Sequence, residues 1–126
     1  MELMREIYLK YLKEIGGSIV SSENPCKAIK KARIRANITQ EELGRLLGVR
    51  RETISRIECG HIFPTFEFVK NFSRILAVVH VLKTISGTVS SNFLSLYFNL
   101  PLKDIRLLLD IALRTSDKKE EVRRWK

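Results

Sequence analysis

Thr39–Gly60 reads TQEELGRLLGVRRETISRIECG, and the fold turns on how that stretch is read. Thr39, followed three residues later by Glu42, is a capping box, in which each side chain satisfies a backbone N–H of the other at a helix start. Glu41 and Glu42 also suit the positive end of that helix. Leu43, Leu46 and Leu47 form its apolar stripe. Gly44 leaves room for a crossing helix, and Gly48 stops the helix by accepting a positive φ. Val49 plugs the turn from inside. A second helix follows over about Arg51–Cys59, closed by Gly60. Ile54 and Ile57 point inward. At 100° per residue, Glu52, Ser55 and Cys59 lie nearly opposite them, flanked by Arg51 and Arg56. The outer face of the second helix is therefore polar and rich in arginine.

Upstream, Asn24 caps a helix that opens on Pro25 and runs to about Ala36. Ala28, Ile29, Ala32 and Ala36 give it a small-residue face for close packing, with Lys27, Lys30, Lys31 and Arg35 outside. Before it, Met1–Ile15 is an amphipathic helix. Its inner line is Leu3, Ile7, Tyr11 and Ile15, with Tyr8 and Leu12 beside them, and Gly16-Gly17 ends it. Ser18–Asn24 is a polar connector.

Downstream, His61–Pro64 is a loop. Thr65 caps a helix through about Leu76 with Phe68, Val69, Phe72 and Leu76 inside. Ala77–Ile85 is helical, as a continuation or after a bend, and Ser86-Gly87-Thr88 breaks it. Phe63, Phe66, Phe68 and Phe72 are read as core. Helices over Ser91–Asn99 and Leu102–Arg114 follow, and the charged stretch Ser116–Lys126 is expected to fray. The class is all-α.

Three parts are expected: residues 1–24 as an N-terminal amphipathic helix and connector, 25–79 as a helical domain around the quoted stretch, and 80–126 as a helical extension that mediates dimerisation.

The bulk composition fits this reading. A length of 126 residues with 44% hydrophobic content supports a real core, and the formal charge of +9 suits a polyanionic partner. Residues 26–74 carry most of that excess, with 11 basic against 5 acidic groups. Cys26 and Cys59 form no CxxC pair, which excludes a zinc ribbon, and a reducing cytoplasm is expected. The N-terminus lacks a signal-peptide pattern, and no apolar run is long enough to span a bilayer. His61 and His80 stand too far apart in sequence to argue for a metal. No nucleophile–base set or carboxylate pair is arranged for catalysis. Neither an enzyme nor a cofactor is expected.

A small residue at the helix crossing, a glycine at the turn and an apolar plug after it are what a helix–turn–helix requires. On TQEELGRLLGV, then TISRIECG, then a proline and an apolar helix, residues Ile29–Val78 resemble the helix–turn–helix domain of the phage repressor and Cro-like (XRE) family. The implied fold is a five-helix repressor-like domain with additional N- and C-terminal helices. The resemblance implies that Gln40 holds a phosphate, with Arg50 and Thr53 in backbone or supporting contacts. It gives base edges to Arg51, Glu52 and Arg56, and a buried ion pair to Arg33 and Glu58. Ser55 shares the outer line of the second helix. Thr39 lies beside Gln40, and His61 follows the second helix closely enough to touch phosphate.

Two positions depart from the family pattern. Arg50 stands where a small polar residue is usual and adds a phosphate contact. Glu52 stands where a neutral residue is usual. It either accepts from a cytosine amino group or orients Arg56 at i+4, the latter being favoured.

These readings lead to a cytoplasmic, nucleoid-associated regulator of transcription that binds double-stranded DNA as a homodimer at a palindromic operator, most simply as a repressor. The alternatives are an antitoxin or a transcriptional bridging factor acting through a protein partner.

Overall fold

The computed structural model describes residues 2–85 and 89–124, with side chains described as far as Arg114. The chain is all-helical, and the described residues contain no strand. Its helices are α1 (Glu2–Val20), α2 (Pro25–Arg35), α3 (Gln40–Leu47), α4 (Arg51–Glu58), α5 (Phe66–Thr84), α6 (Ser91–Phe98) and α7 (Leu102–Arg124). The break expected at Ser86-Gly87-Thr88 lies outside the described residues.

The axis of the molecule is α5. Thr65 caps it through a hydrogen bond from the Phe68 N–H at 3.0 Å. From Phe72 onward it is buried on nearly every side, at Phe72, Ser73, Ile75, Leu76, Ala77, Val78, Val79, Val81 and Leu82. A helix that is apolar all round needs neighbours all round. It has them in α1, α3 and α7. That packing explains why Phe66–Thr84 is one unbroken helix, where the sequence left a bend open.

Along α5 runs α1, antiparallel, so that Tyr11 stacks on His80 and Gly16 faces Ser73. Burial of His80, with the Lys83 charge beside it, lowers its pKa against the opposing pull of Glu14. One apolar cluster draws residues from all seven helices, so the flanking helices share their core with α2–α5.

Three sequence expectations are corrected. Gly16-Gly17 does not end α1, which continues to Val20. Each helical glycine costs about 1 kcal/mol against alanine. Full burial of Ile19 one turn later offsets that by about 1.5–3 kcal/mol. At the other end Leu3 is 68% exposed, and Met4, 4% exposed, takes the inner position. A line of residues four apart drifts around a helix of 3.6 residues per turn, so the Ile19–Ile15–Tyr11–Ile7 line arrives nearer Met4 than Leu3.

Phe63 and Phe66 are not core: they are 75% and 79% exposed. Thr65 fixes the start of α5, and that register turns Phe68 and Phe72 inward while Phe66 points away. Finally, α7 extends to Arg124, past Ser116 where the charged stretch begins. The residue types there, mostly Lys, Glu and Arg, have high helix propensity, which the missing apolar stripe obscured.

Gly17 is exposed, and a Cβ there would meet nothing within 4 Å. Gly17→Ala is therefore expected to stabilise the chain by about 0.4–1 kcal/mol, by restricting the unfolded backbone. A rise in the urea midpoint at unchanged slope checks it.

Candidate nucleic-acid interface

The capping box forms as read: the Glu42 N–H donates to Thr39 Oγ1 at 3.1 Å and the Thr39 N–H donates to Glu42 Oε1 at 3.0 Å. After Leu47 the chain turns at Gly48 with φ +71° and ψ +27°, which an L side chain adopts only under strain. Gly44 is required for a different reason. A Cβ there would sit 2.6 Å from the Val49 carbonyl oxygen, so the start of α4 can cross α3 only over a bare backbone. These two glycines set the angle at which α4 leaves α3.

Ile54 and Ile57 bury the inner face of α4. Its outer face leaves Arg51, Glu52, Arg56 and Cys59 exposed, with Ser55 and Thr53 half-buried at its edges. Arg50, at the N-cap, is exposed and makes no capping bond from its side chain. Neither Arg51 nor Arg56 has an ion-pair partner among the described residues. The i+4 pair of Glu52 with Arg56 is not formed either, whereas Arg45 and Glu41 approach to 3.6 Å on α3. Exposed pairs of this kind gain little over solvation, so their forming or not is nearly neutral. His61, past the end of α4, is exposed. Its backbone N–H donates to the Arg56 carbonyl at 2.9 Å.

Behind this face, Arg33 of α2 meets Glu58 of α4 through a bidentate fork. Nε donates to Oε2 at 2.6 Å and Nη2 to Oε1 at 3.0 Å, while Nη1 donates to the Ile38 carbonyl at 2.8 Å. Glu58 accepts a third bond at 3.0 Å from Gln40 Nε2. The expected ion pair is thus a node joining α2, the start of α3 and the end of α4. Sequence reading missed the place of Gln40 in it. The amide nitrogen assigned to a phosphate is engaged with Glu58, leaving its second N–H, its carbonyl oxygen and the backbone N–H at the start of α3 to face a ligand. No local pattern carries that bond, because Gln40 and Glu58 meet only after the helices cross.

The sequence also gave no sign of Arg114. From α7 it forms an ion pair with Glu42 and a weak hydrogen bond to the Asn37 carbonyl at 3.5 Å, clamping the C-terminal helix to the start of α3. Burial alone would raise the Glu42 carboxyl. The Arg114 guanidinium and the Thr39 N–H and hydroxyl outweigh it and hold the pKa below the usual carboxylate value.

Because the folded pKa is depressed, the stability that follows is complete above the unfolded value of about 4.3 and is lost as pH falls through the folded one. Arg114→Ala is expected to cost about 1–2 kcal/mol at pH 7, the lower range for a charged hydrogen bond that is partly solvated. The gap between variant and wild type should narrow progressively as pH falls below the unfolded value of about 4.3, as measured by urea unfolding at pH 7 and in acid.

The described residues contain no cluster of three or more His, Cys, Asp and Glu able to hold a metal ion. No helix among them is long and apolar enough to cross a membrane. Cys26 is buried and Cys59 exposed, both as free thiols.

Comparison with known proteins agrees with this geometry. A helix-turn-helix family model matches residues 29–81, the segment from α2 into α5. An uncharacterized HTH-type transcriptional regulator of Archaeoglobus fulgidus is 36% identical over 98 residues, which are 78% of this chain and 40% of that protein. A second from the same organism is 43% identical over 47 residues, 37% of this chain and 66% of that protein. The chain thus spans less than half of the longer relative. No solved structure matches the chain significantly. Residues 29–81, fewer than half of the chain, thus match the helix–turn–helix family model, of the phage repressor and Cro-like (XRE) type.

Proposed function

We propose that this chain is a sequence-specific DNA-binding regulator of transcription, acting in the cytoplasm at the nucleoid. The observation that carries the reading is the outer face of α4: exposed Arg51 and Arg56, unpaired, on a short helix fixed from behind by the Arg33–Glu58–Gln40 node. In this reading α4 enters the major groove and α3 lies across the backbone. Arg51, Glu52, Ser55 and Arg56 face base edges. Thr39, Gln40, Arg50, Thr53 and His61 face phosphates. The printed names of both relatives, as transcriptional regulators, support the same class.

Two chains bind a palindromic operator and repress by occluding polymerase. Residues 25–79 read the DNA, and 80–126 with α1 hold the dimer. The surface that supports self-association is apolar and exposed: Leu96 on α6 at 83% and Leu3 on α1 at 68%. Light scattering at high micromolar concentration should give about twice the 14.6 kDa chain mass. Leu96→Glu should shift it toward monomer, since a charge buried at an interface is strongly unfavourable.

Selection of random duplexes by the purified chain tests the central claim. The expected product is a palindrome whose half-sites lie roughly 34 Å apart, one helical turn, with affinity falling steeply as salt rises. Recovery of no consensus would overturn operator reading. It would favour the second reading, an antitoxin or bridging factor that works through a protein. One observation supports that alternative: Val20, Phe63 and Phe66 surround an apolar hollow at the foot of α5, each more than two-thirds exposed.

A further inference from the structure

Away from α4, the flanking helices close over the helix–turn–helix unit and leave a cleft. Its deeper part, about 330 Å³, has Leu46 and Leu47 of α3 and Val78 of α5 as an apolar wall, facing Phe98. Asn71, Arg74 and Tyr8 bring polar groups to the same space. A shallower part of about 240 Å³ shares Tyr8, Arg74 and Phe98 and adds Arg5 and Tyr97. The two parts lie side by side, with Tyr8, Arg74 and Phe98 bordering both. Two arginines, one on α1 and one on α5, therefore line the cleft beside three aromatic residues. Tyr8 and Phe98 lie 5.7 Å apart, and Tyr97 meets Phe98 edge-on at 5.0 Å.

Neither Arg5 nor Arg74 forms an ion pair or hydrogen bond among the described residues, and the Asn71 amide is likewise without a partner. Both arginines are exposed at the rim of the cleft, and no acidic residue lines either part of it. The deeper part alone, at about 330 Å³, falls in the volume range of small-molecule sites, and its lining mixes polar and apolar groups. A DNA phosphate is a poor fit, because Leu46, Leu47 and Phe98 offer an apolar floor that a sugar–phosphate chain cannot use.

We infer that this cleft binds a small aromatic carboxylate, its ring against Phe98, Leu46 and Leu47 and its carboxylate held by Arg74 with Arg5. A guanidinium presents the fork of donors that a carboxylate accepts. Leu46 and Leu47 end α3 immediately before Gly48. An occupant therefore touches α3 next to the turn that aims α4, while resting on α1 and on the link from α6 to α7. Occupancy and DNA affinity are thereby coupled reciprocally. That last consequence rests on the proposed function; the site itself does not.

The test uses the full chain without DNA. Indole-3-acetate is titrated against amide-resolved NMR spectra, with indole-3-acetamide as its uncharged counterpart and Arg74→Ala and Arg74→Gln as variants. The expected result is saturable shifts at Leu46, Leu47, Val78 and Leu100 with a Kd below about 1 mM. Loss of the charge on either partner should weaken binding at least about tenfold, as a charge-assisted bond implies. Arg74 is exposed, so both variants should melt with the wild type. The site is overturned if no saturable shifts occur, if the amide binds as well as the acid, or if both Arg74 variants bind like the wild type. Failure here leaves the duplex selection untouched, and failure there leaves this titration untouched.

Discussion

Arg33→Ala is expected to destabilise the chain by about 3–5 kcal/mol, the range for breaking a buried ion pair from one side. The side chain of Glu58 is 1% exposed and that of Arg33 is 11% exposed. Removing the guanidinium would leave a carboxylate in the interior with Gln40 as its remaining side-chain donor. The Ile38 carbonyl would lose its donor as well.

Domains of this size are stable by only about 5–15 kcal/mol, so the loss would be visible as a large drop in the urea midpoint. Arg33→Lys should recover only part of it, because an ammonium cannot supply two parallel bonds to one carboxylate. The double variant Arg33→Met, Glu58→Leu should be far milder than Arg33→Ala, since it leaves no lone buried charge. A cost below about 1 kcal/mol for Arg33→Ala would instead mean that the pair behaves like a solvated one.

That node marks where the sequence stops being readable. The capping box, the turn at Gly48 and the inward pair Ile54 and Ile57 are local, set by residues three or four apart, and each formed as read. Arg33 and Glu58 were reached only through the family resemblance, which also gave Gln40 to a phosphate; the Gln40–Glu58 bond spans a helix crossing that no local pattern shows. Arg114 lies 72 residues from Glu42, with no pattern linking them.

The glycine pair in α1 misled for the reverse reason. Local propensity is a weak prior, and tertiary burial of Ile19 overrode it. Phe63 and Phe66 show the limit of composition: aromatic residues were assigned to the core by type, while their direction depends on where Thr65 starts the helix. The cleft around Arg74 could not be read at all, since it is assembled from α1, α3, α5 and the α6–α7 link.

The double variant Arg51→Ala, Arg56→Ala should separate reading from folding. Both side chains are exposed and have no ion-pair partner among the described residues, so their removal is expected to change stability by no more than about 0.5 kcal/mol. A bidentate arginine–guanine contact contributes about 1–3 kcal/mol of discrimination. Two such contacts give about 2–6 kcal/mol, a loss of roughly thirtyfold to twenty-thousandfold in affinity for the selected duplex. Binding to random duplex should fall much less, because phosphate contacts dominate it. Lys30→Ala with Lys31→Ala should do the opposite, weakening all duplexes alike and flattening the salt dependence. Glu52→Gln then tests the odd member of the face. With no Glu52–Arg56 pair in the free chain, an orienting role would have to arise on DNA. In that case Glu52→Gln should blur the same base position as Arg56→Ala. If Glu52 instead accepts from a cytosine, the variant should relax a separate position and leave the arginine contacts intact. Equal affinity of wild type and double arginine variant for the selected duplex would remove α4 as the reading element, however well the rest of the fold fits.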